Sequence, residues 1–148
     1  MTLLNNEILI SSSVERVWSI LTDLVLLEKY DPTVKKSTLI SKDKTGIGAK
    51  RKVEMLDGKN WFEEVLTIFE PNKALTYQLT NCSFPIKGLK HSYSFEKIGA
   101  QIKVKQVMEY KVKYGLLGKL LDTLMIRKQT EKGIKQFFVG LKNFAESS

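Results

Sequence analysis

Apolar and polar positions follow two different periods along this chain. From Val34 to Val112 they mostly alternate with a period of two, in runs closed by turn residues; before and after that stretch the period is close to 3.6. "NEILIS" is a short alternating strand. "SSSVERVWSILTDLVLLEKY" then turns helical, with Ser12 or Ser13 as N-cap and Val14, Val17, Trp18 and Leu21 on one face. Thr22 and Asp23 are positioned to cap a second short helix, which ends near Tyr30 because Pro32 pushes the residue before it out of helical geometry. The alternating runs that follow are "VKKSTLIS", "AKRKVEML", "NWFEEVLTIFE", "ALTYQLTNC", "KHSYSFEKI" and "QIKVKQVMEYKV", with a strong two-residue hairpin signal at Asp57-Gly58.

One strand, a helical pair, six further strands and a closing helix over 115–146 predict an α+β fold. A curved seven-stranded antiparallel sheet has one face covered by the terminal helix, which at about 1.5 Å per residue is on the order of 45 Å long. At 100° per residue Leu117, Leu120, Leu124, Ile134, Phe138, Leu141 and Ala145 share one face of that helix, and Arg127 and Glu131 fall on the same face. Two readings of those charges stay open. Either they look into a wet or ligand-filled space, as i, i+4 neighbours, or the helix is bent at Gly133 so that both reach solvent.

The 148 residues are predicted to form one domain, 1–148, with no internal repeat or linker. A lone cysteine, Cys82, allows no internal disulfide, and "MTLLNNEILISSS" lacks the pattern of a signal peptide, so a cytoplasmic location is the expectation. No run of apolar residues is long enough to span a membrane. The net charge of +8, from 24 basic against 16 acidic residues, raises nucleic acid or anionic membrane as partners. No nucleic-acid motif accompanies it, and Lys103, Lys105, Lys111 and Lys113 alternate with apolar residues as on a solvated or guarded sheet face, so nucleic acid is not expected. "YGLLGKLLDTLMIRK" has two readings, a segment that presses transiently on an anionic bilayer or one that is buried beneath the fold or in a dimer. Monomer and homodimer both stay open.

Alternation also proposes the sheet's inner wall. It places Arg51, Val53 and Met55 inward from one strand, Tyr77 and Leu79 from another, His91 and Tyr93 from a third, and Gln106, Met108 and Tyr110 from the last. In "NWFEEVLTIF" either face fits, with Trp61 on one of them. An apolar wall with a few phenols, one imidazole, one amide and one or two charges has the make-up of a ligand pocket. The candidate binding set therefore comprises these residues together with Leu124, Arg127 and Glu131 of the helix. His91 is the single histidine, a candidate general base, with Tyr77, Tyr93 or Arg51 to stabilise an enolate. No His, Cys or carboxylate cluster has metal-ligand spacing and no glycine-rich phosphate loop is present, so neither metal nor other cofactor is expected.

The stretch "SSSVERVWSILTDLVLLEKYDPTV", followed in order by "GIGAKRKV", "WFEEVLTIFEPNKALTYQL", "SYSFEKIGAQIKV" and a closing helix ending "LKNFAE", resembles the SRPBCC superfamily over nearly the whole chain. That group includes birch-pollen-allergen, StAR-related lipid-transfer and polyketide cyclase/dehydratase proteins. Where such proteins usually carry Trp before the proline, this chain has another aromatic, Tyr30. The resemblance implies the helix-grip fold, with the sheet wrapped around the long C-terminal helix, two short helices after the first strand, and a deep cavity between sheet and helix. It implies binding, or transport, of a small hydrophobic ligand such as a lipid, quinone or polyketide. The alternative is a cyclase/dehydratase-type enzyme, because one fold serves binders, carriers and catalysts alike.

Overall fold

The computed structural model describes residues 1–147; the side chains of Thr123 and Leu124 lie outside that description, and with them the cavity role expected of Leu124. Seven strands, β1 (Thr2–Ile10), β2 (Val34–Leu39), β3 (Lys50–Met55), β4 (Trp61–Glu70), β5 (Ala74–Cys82), β6 (Ile86–Ile98) and β7 (Gln101–Val112), form one antiparallel sheet. Its order is β1-β7-β6-β5-β4-β3-β2, so β2 to β7 meander and β1 returns to pair with the last strand. Register shifts in the β2–β3, β4–β5 and β6–β7 pairs mark where the strands bend, as bulges do in a curved sheet.

Helix α1 (Val14–Leu21) starts at Ser13, whose hydroxyl accepts the Arg16 N–H, and buries Val17, Trp18, Ile20 and Leu21. The Trp18 ring meets the edges of Phe69 and Phe95 with centroids 5.1 and 6.0 Å apart, which fixes α1 on one end of the sheet. Thr22 closes α1 instead of opening the next helix. Its hydroxyl donates to the Trp18 carbonyl, satisfying a helix-end acceptor, and α2 (Leu27–Tyr30) begins five residues later without a side-chain cap.

The terminal helix differs from the single helix expected. It comprises α3 (Gly115–Leu121), a π-helical segment (Asp122–Ile126) and α4 (Arg127–Glu146). A π turn is wider than an α turn, so a constant 100° step does not carry across it, and Leu117 and Leu120 do not share the buried face of α4. Both are exposed, whereas Ile134, Phe138, Leu141 and Ala145 are buried. The π segment is anchored at its first residue: Asp122 accepts the Tyr110 hydroxyl at 2.5 Å and the Thr2 hydroxyl at 2.6 Å. At the far end Arg16 donates to the carbonyls of Ala145, Phe144 and Ser147, a charged cap on the last turn of α4. Gly140 lets α4 approach α2, since a Cβ there would lie 1.9 Å from the Tyr30 carbonyl oxygen.

Candidate functional site

Between the sheet and α4 lies a cavity of about 300 Å³. Leu27, Asp31 and Thr33 line it at the α2 end. Arg51 and Met55 of β3, Phe62 and Glu64 of β4, Leu79 of β5, His91 and Tyr93 of β6, and Gln106 and Met108 of β7 form its sheet wall. Phe84, Pro85, Ile86 and Leu89 close one end, while Ile126, Gln129, Thr130, Gly133, Ile134 and Phe137 form the helical wall. Apart from the helix's own backbone and the adjoining residues, nothing stands within 4 Å of where a Gly133 Cβ would be, so α4 leaves space there by having no side chain.

Five polar residues of the cavity's sheet wall, Arg51, Glu64, His91, Tyr93 and Gln106, are linked into one chain of hydrogen bonds. Arg51 Nε donates to Glu64 Oε2 at 2.6 Å, and His91 Nε2 lies 2.8 Å from Glu64 Oε1. His91 Nδ1 lies 2.9 Å from the Tyr93 hydroxyl, which takes a hydrogen bond from Gln106 Nε2 at 3.0 Å; Gln106 Oε1 in turn accepts from Asn6. Direction follows from valence. A carboxylate only accepts, so His91 Nε2 carries a proton; Tyr93 already accepts from Gln106, so its own proton points to His91 Nδ1 in the neutral imidazole. His91 is further held by a stacked Tyr77 ring, 5.3 Å away and inclined by 15°.

Burial by itself would push the Glu64 carboxyl up, but the Arg51 guanidinium and then His91 outweigh it and hold that carboxyl at about 2. Burial would likewise lower Arg51; Tyr77 and Glu64 beside it keep it firmly protonated. Burial raises the Tyr77 phenol to about 12 and drives that of Tyr93 higher still. The cluster is therefore a desolvated ion pair with a hydrogen-bonded imidazole and phenol, every buried side-chain nitrogen and oxygen among the described residues being matched.

Of the residues expected to bind ligand, Arg51, Met55, Leu79, His91, Tyr93, Gln106 and Met108 line the cavity. Val53, Tyr77 and Tyr110 face inward but are packed into the core beside it; the Tyr77 hydroxyl donates to the Leu21 carbonyl and that of Tyr110 to Asp122. Trp61 points away from the cavity, with Lys52 over its ring at 5.0 Å, because Phe62, Glu64 and Leu66 take the inner face of β4. Arg127 and Glu131 are exposed and do not line the cavity. Arg127 reaches the Leu3 carbonyl on edge strand β1 at 3.4 Å, since at that height α4 overhangs the sheet's edge instead of its centre.

Glu64 and Asp31 are not among the expected residues. A signal for Glu64 exists in the chain, since a two-residue turn at Asp57-Gly58 sets residues equidistant from it face to face, and counting outward brings Arg51 opposite Glu64. Asp31 has no such signal, because its place depends on how α2 docks. As a general base His91 is not directly presented: Tyr93 and Glu64 occupy its two nitrogens, so the atom that meets a guest is the Tyr93 oxygen.

An antiparallel sheet gripping a C-terminal helix around an apolar cavity defines a helix-grip protein of the SRPBCC superfamily. The sequence profile described as "Polyketide cyclase / dehydrase and lipid transport" matches residues 1–146, and the chain belongs to that family. No curated protein sequence matches it. Among solved structures, the protein TTHA0849 from Thermus thermophilus is similar with a TM-score of 0.82 at 18% identity, covering 99% of this chain and 100% of that one. A START superfamily protein from Mycobacterium smegmatis gives 0.77 at 16%, covering 97% of each, and Ara h 8.0201 gives 0.79 at 13%, covering 99% of each. At these identities the likeness is one of fold.

Proposed function

We propose that this protein binds one small hydrophobic molecule, a lipid, quinone or polyketide, between its sheet and α4. The observation that carries this reading is the cavity itself. Its volume of about 300 Å³ is at the small end of ligand sites, its wall is mostly apolar, and the polar groups of its sheet wall are gathered in one cluster that can orient a guest. The test is native mass spectrometry of the purified protein, followed by thermal-shift screening against hydrophobic compounds. A stoichiometric bound molecule, absent from a folded Gly133→Phe variant whose new ring fills the open space, is the expected result. No bound species and no thermal shift would overturn the proposal.

The face of α3 supports a carrier role. Leu116, Leu117, Leu120 and Met125 are exposed, Leu116 by 84%, and the exposed cations Lys113, Arg127 and Lys128 flank them. The segment joins the cavity wall at Ile126, so an anionic lipid surface pressed against it would meet the cavity's end. Binding to phosphatidylglycerol vesicles, weakened by salt and by Leu117→Asp, is expected. Indifference to lipid charge, or self-association through the same leucines, would remove this carrier role.

The Glu64–His91–Tyr93 chain favours a second reading, a cyclase/dehydratase-type enzyme in which the Tyr93 oxygen takes a proton alpha to a ligand carbonyl as its own proton passes to His91 Nδ1, the imidazolium so formed being paired with Glu64. Turnover of a polyketide-like substrate that falls with Tyr93→Phe and His91→Asn would support it; rates unchanged in both would sink it.

A further inference from the structure

We infer that the guest is electrically neutral and carries a hydrogen-bond donor such as a hydroxyl or amide N–H, and that the cavity rejects carboxylates. This rests on the reading of the cavity as a ligand site and assigns that ligand's chemistry.

Among the lining residues Arg51 is the single permanent cation, and its charge is already paired. Its Nε is bound to Glu64, its Nη1 lies 3.3 Å from the Leu24 carbonyl, and its guanidinium rests over the Tyr77 ring with Cζ 4.3 Å from the centroid. Glu64 cancels its charge, leaving no uncompensated positive group to receive an anion. A second carboxyl then tips the balance. Asp31, only 8% exposed, lines the same cavity, with Oδ1 held by the Thr33 N–H at 2.9 Å and the Thr33 hydroxyl at 2.7 Å. Burial pushes its pKa up, outweighing the Thr33 hydrogen bonds and the Arg51 guanidinium, which pull it down.

With Asp31 ionised and His91 neutral, Arg51, Glu64 and Asp31 sum to one negative charge. A carboxylate guest would give up its water and meet a like charge instead of a partner. Two acceptors near the paired charges keep capacity for a guest. Tyr93 Oη, which accepts a hydrogen bond from Gln106 and donates one to the neutral His91, keeps a lone pair, and the Asp31 carboxylate accepts as well. A neutral donor on the guest can satisfy either. The protein's net charge of +8 works the other way at long range, drawing anions to its surface, but that field is screened within about 10 Å at 0.1 M salt. The discrimination is local to the cavity and should persist at high salt.

Matched pairs separate charge from shape: 2-naphthoate against 2-naphthamide, and decanoate against decanamide, titrated calorimetrically into the full chain at pH 7 in low and high salt. The amide of at least one pair is expected to bind tenfold or more tighter than its acid at both salt concentrations. Asp31→Asn, which keeps an oxygen for Thr33, is expected to narrow the gap severalfold. Acids binding as tightly as amides would overturn this inference while leaving the ligand-binding reading intact. Failure of all four compounds to bind would remove both. Should Asp31→Asn not fold, the comparison within the unmodified protein decides.

Discussion

The two ends of the C-terminal helical segment solve opposite problems. In the second half of α4, Phe138, Leu141 and Ala145 are buried, Gly140 lies against the backbone of α2, and Arg16 caps the last turn. In α3 and the π segment, Leu116, Leu117, Leu120 and Met125 face solvent, and the adjoining stretch of helix borders open space. One end is packed to hold the fold; the other leaves room. The hollow end retains its shape through hydrogen bonds and charge, at Asp122 and in the Arg51–Glu64–His91 cluster, where the packed end uses apolar contact. The difference teaches that a small domain can keep a cavity open when polar pairs replace the missing core.

Breaking the ion pair should test that contrast most severely. Glu64→Ala leaves Arg51 buried without its counter-charge and is expected to cost about 3–5 kcal/mol in urea unfolding. Arg51→Met in the same chain should restore part of the loss, and a cost under about 1 kcal/mol would mean the hollow end does not depend on the pair.

The same pair predicts the acid limb of stability. The folded Glu64 carboxyl titrates at about 2, below its ordinary 4.5. Its contribution is therefore fully present above pH 4.5 and is lost as pH falls through 2. Glu64→Gln should flatten this part of the pH–stability curve, whatever its effect at neutral pH; an unchanged curve would reassign the acid limb to other carboxyls.

Two glycines on α4 should respond with opposite signs to one substitution. Gly140→Ala sets a methyl against the Tyr30 carbonyl and is expected to cost about 1–3 kcal/mol, while Gly133→Ala meets open space and should gain up to about 1 kcal/mol of helix propensity. Equal effects in thermal melts would erase the distinction between packed and hollow ends. Leu117→Ser should be the mildest, within about 0.5 kcal/mol, because its side chain is already exposed.

Much of the architecture is legible in the chain. Turn residues separate the strands, the Ser13 cap and the Val17/Trp18/Leu21 face place α1, and alternation puts Arg51, His91, Tyr93 and Gln106 on the inner wall. The failures have specific causes. A wheel that assumes unbroken α geometry across the π segment sets Leu117 and Leu120 on the buried face. Arg127 does share its azimuth with Ile134, seven residues on, but two turns earlier that direction meets the edge of β1 instead of the sheet's interior. Glu64 escapes notice because "NWFEEVLTIF" permits either face until its hairpin register is counted from the turn.

What the sequence by itself determined was the order of elements, the family and the direction of most side chains relative to their own strand or helix, because periodicity and turn chemistry are local. Which neighbour stands opposite each side chain was decided only by the tertiary structure. A wheel or an alternation gives an angle about one element's axis, whereas the pairing of Arg51 with Glu64, the seating of Asp31 in the cavity and the exposure of the α3 leucines depend on the position of a second element.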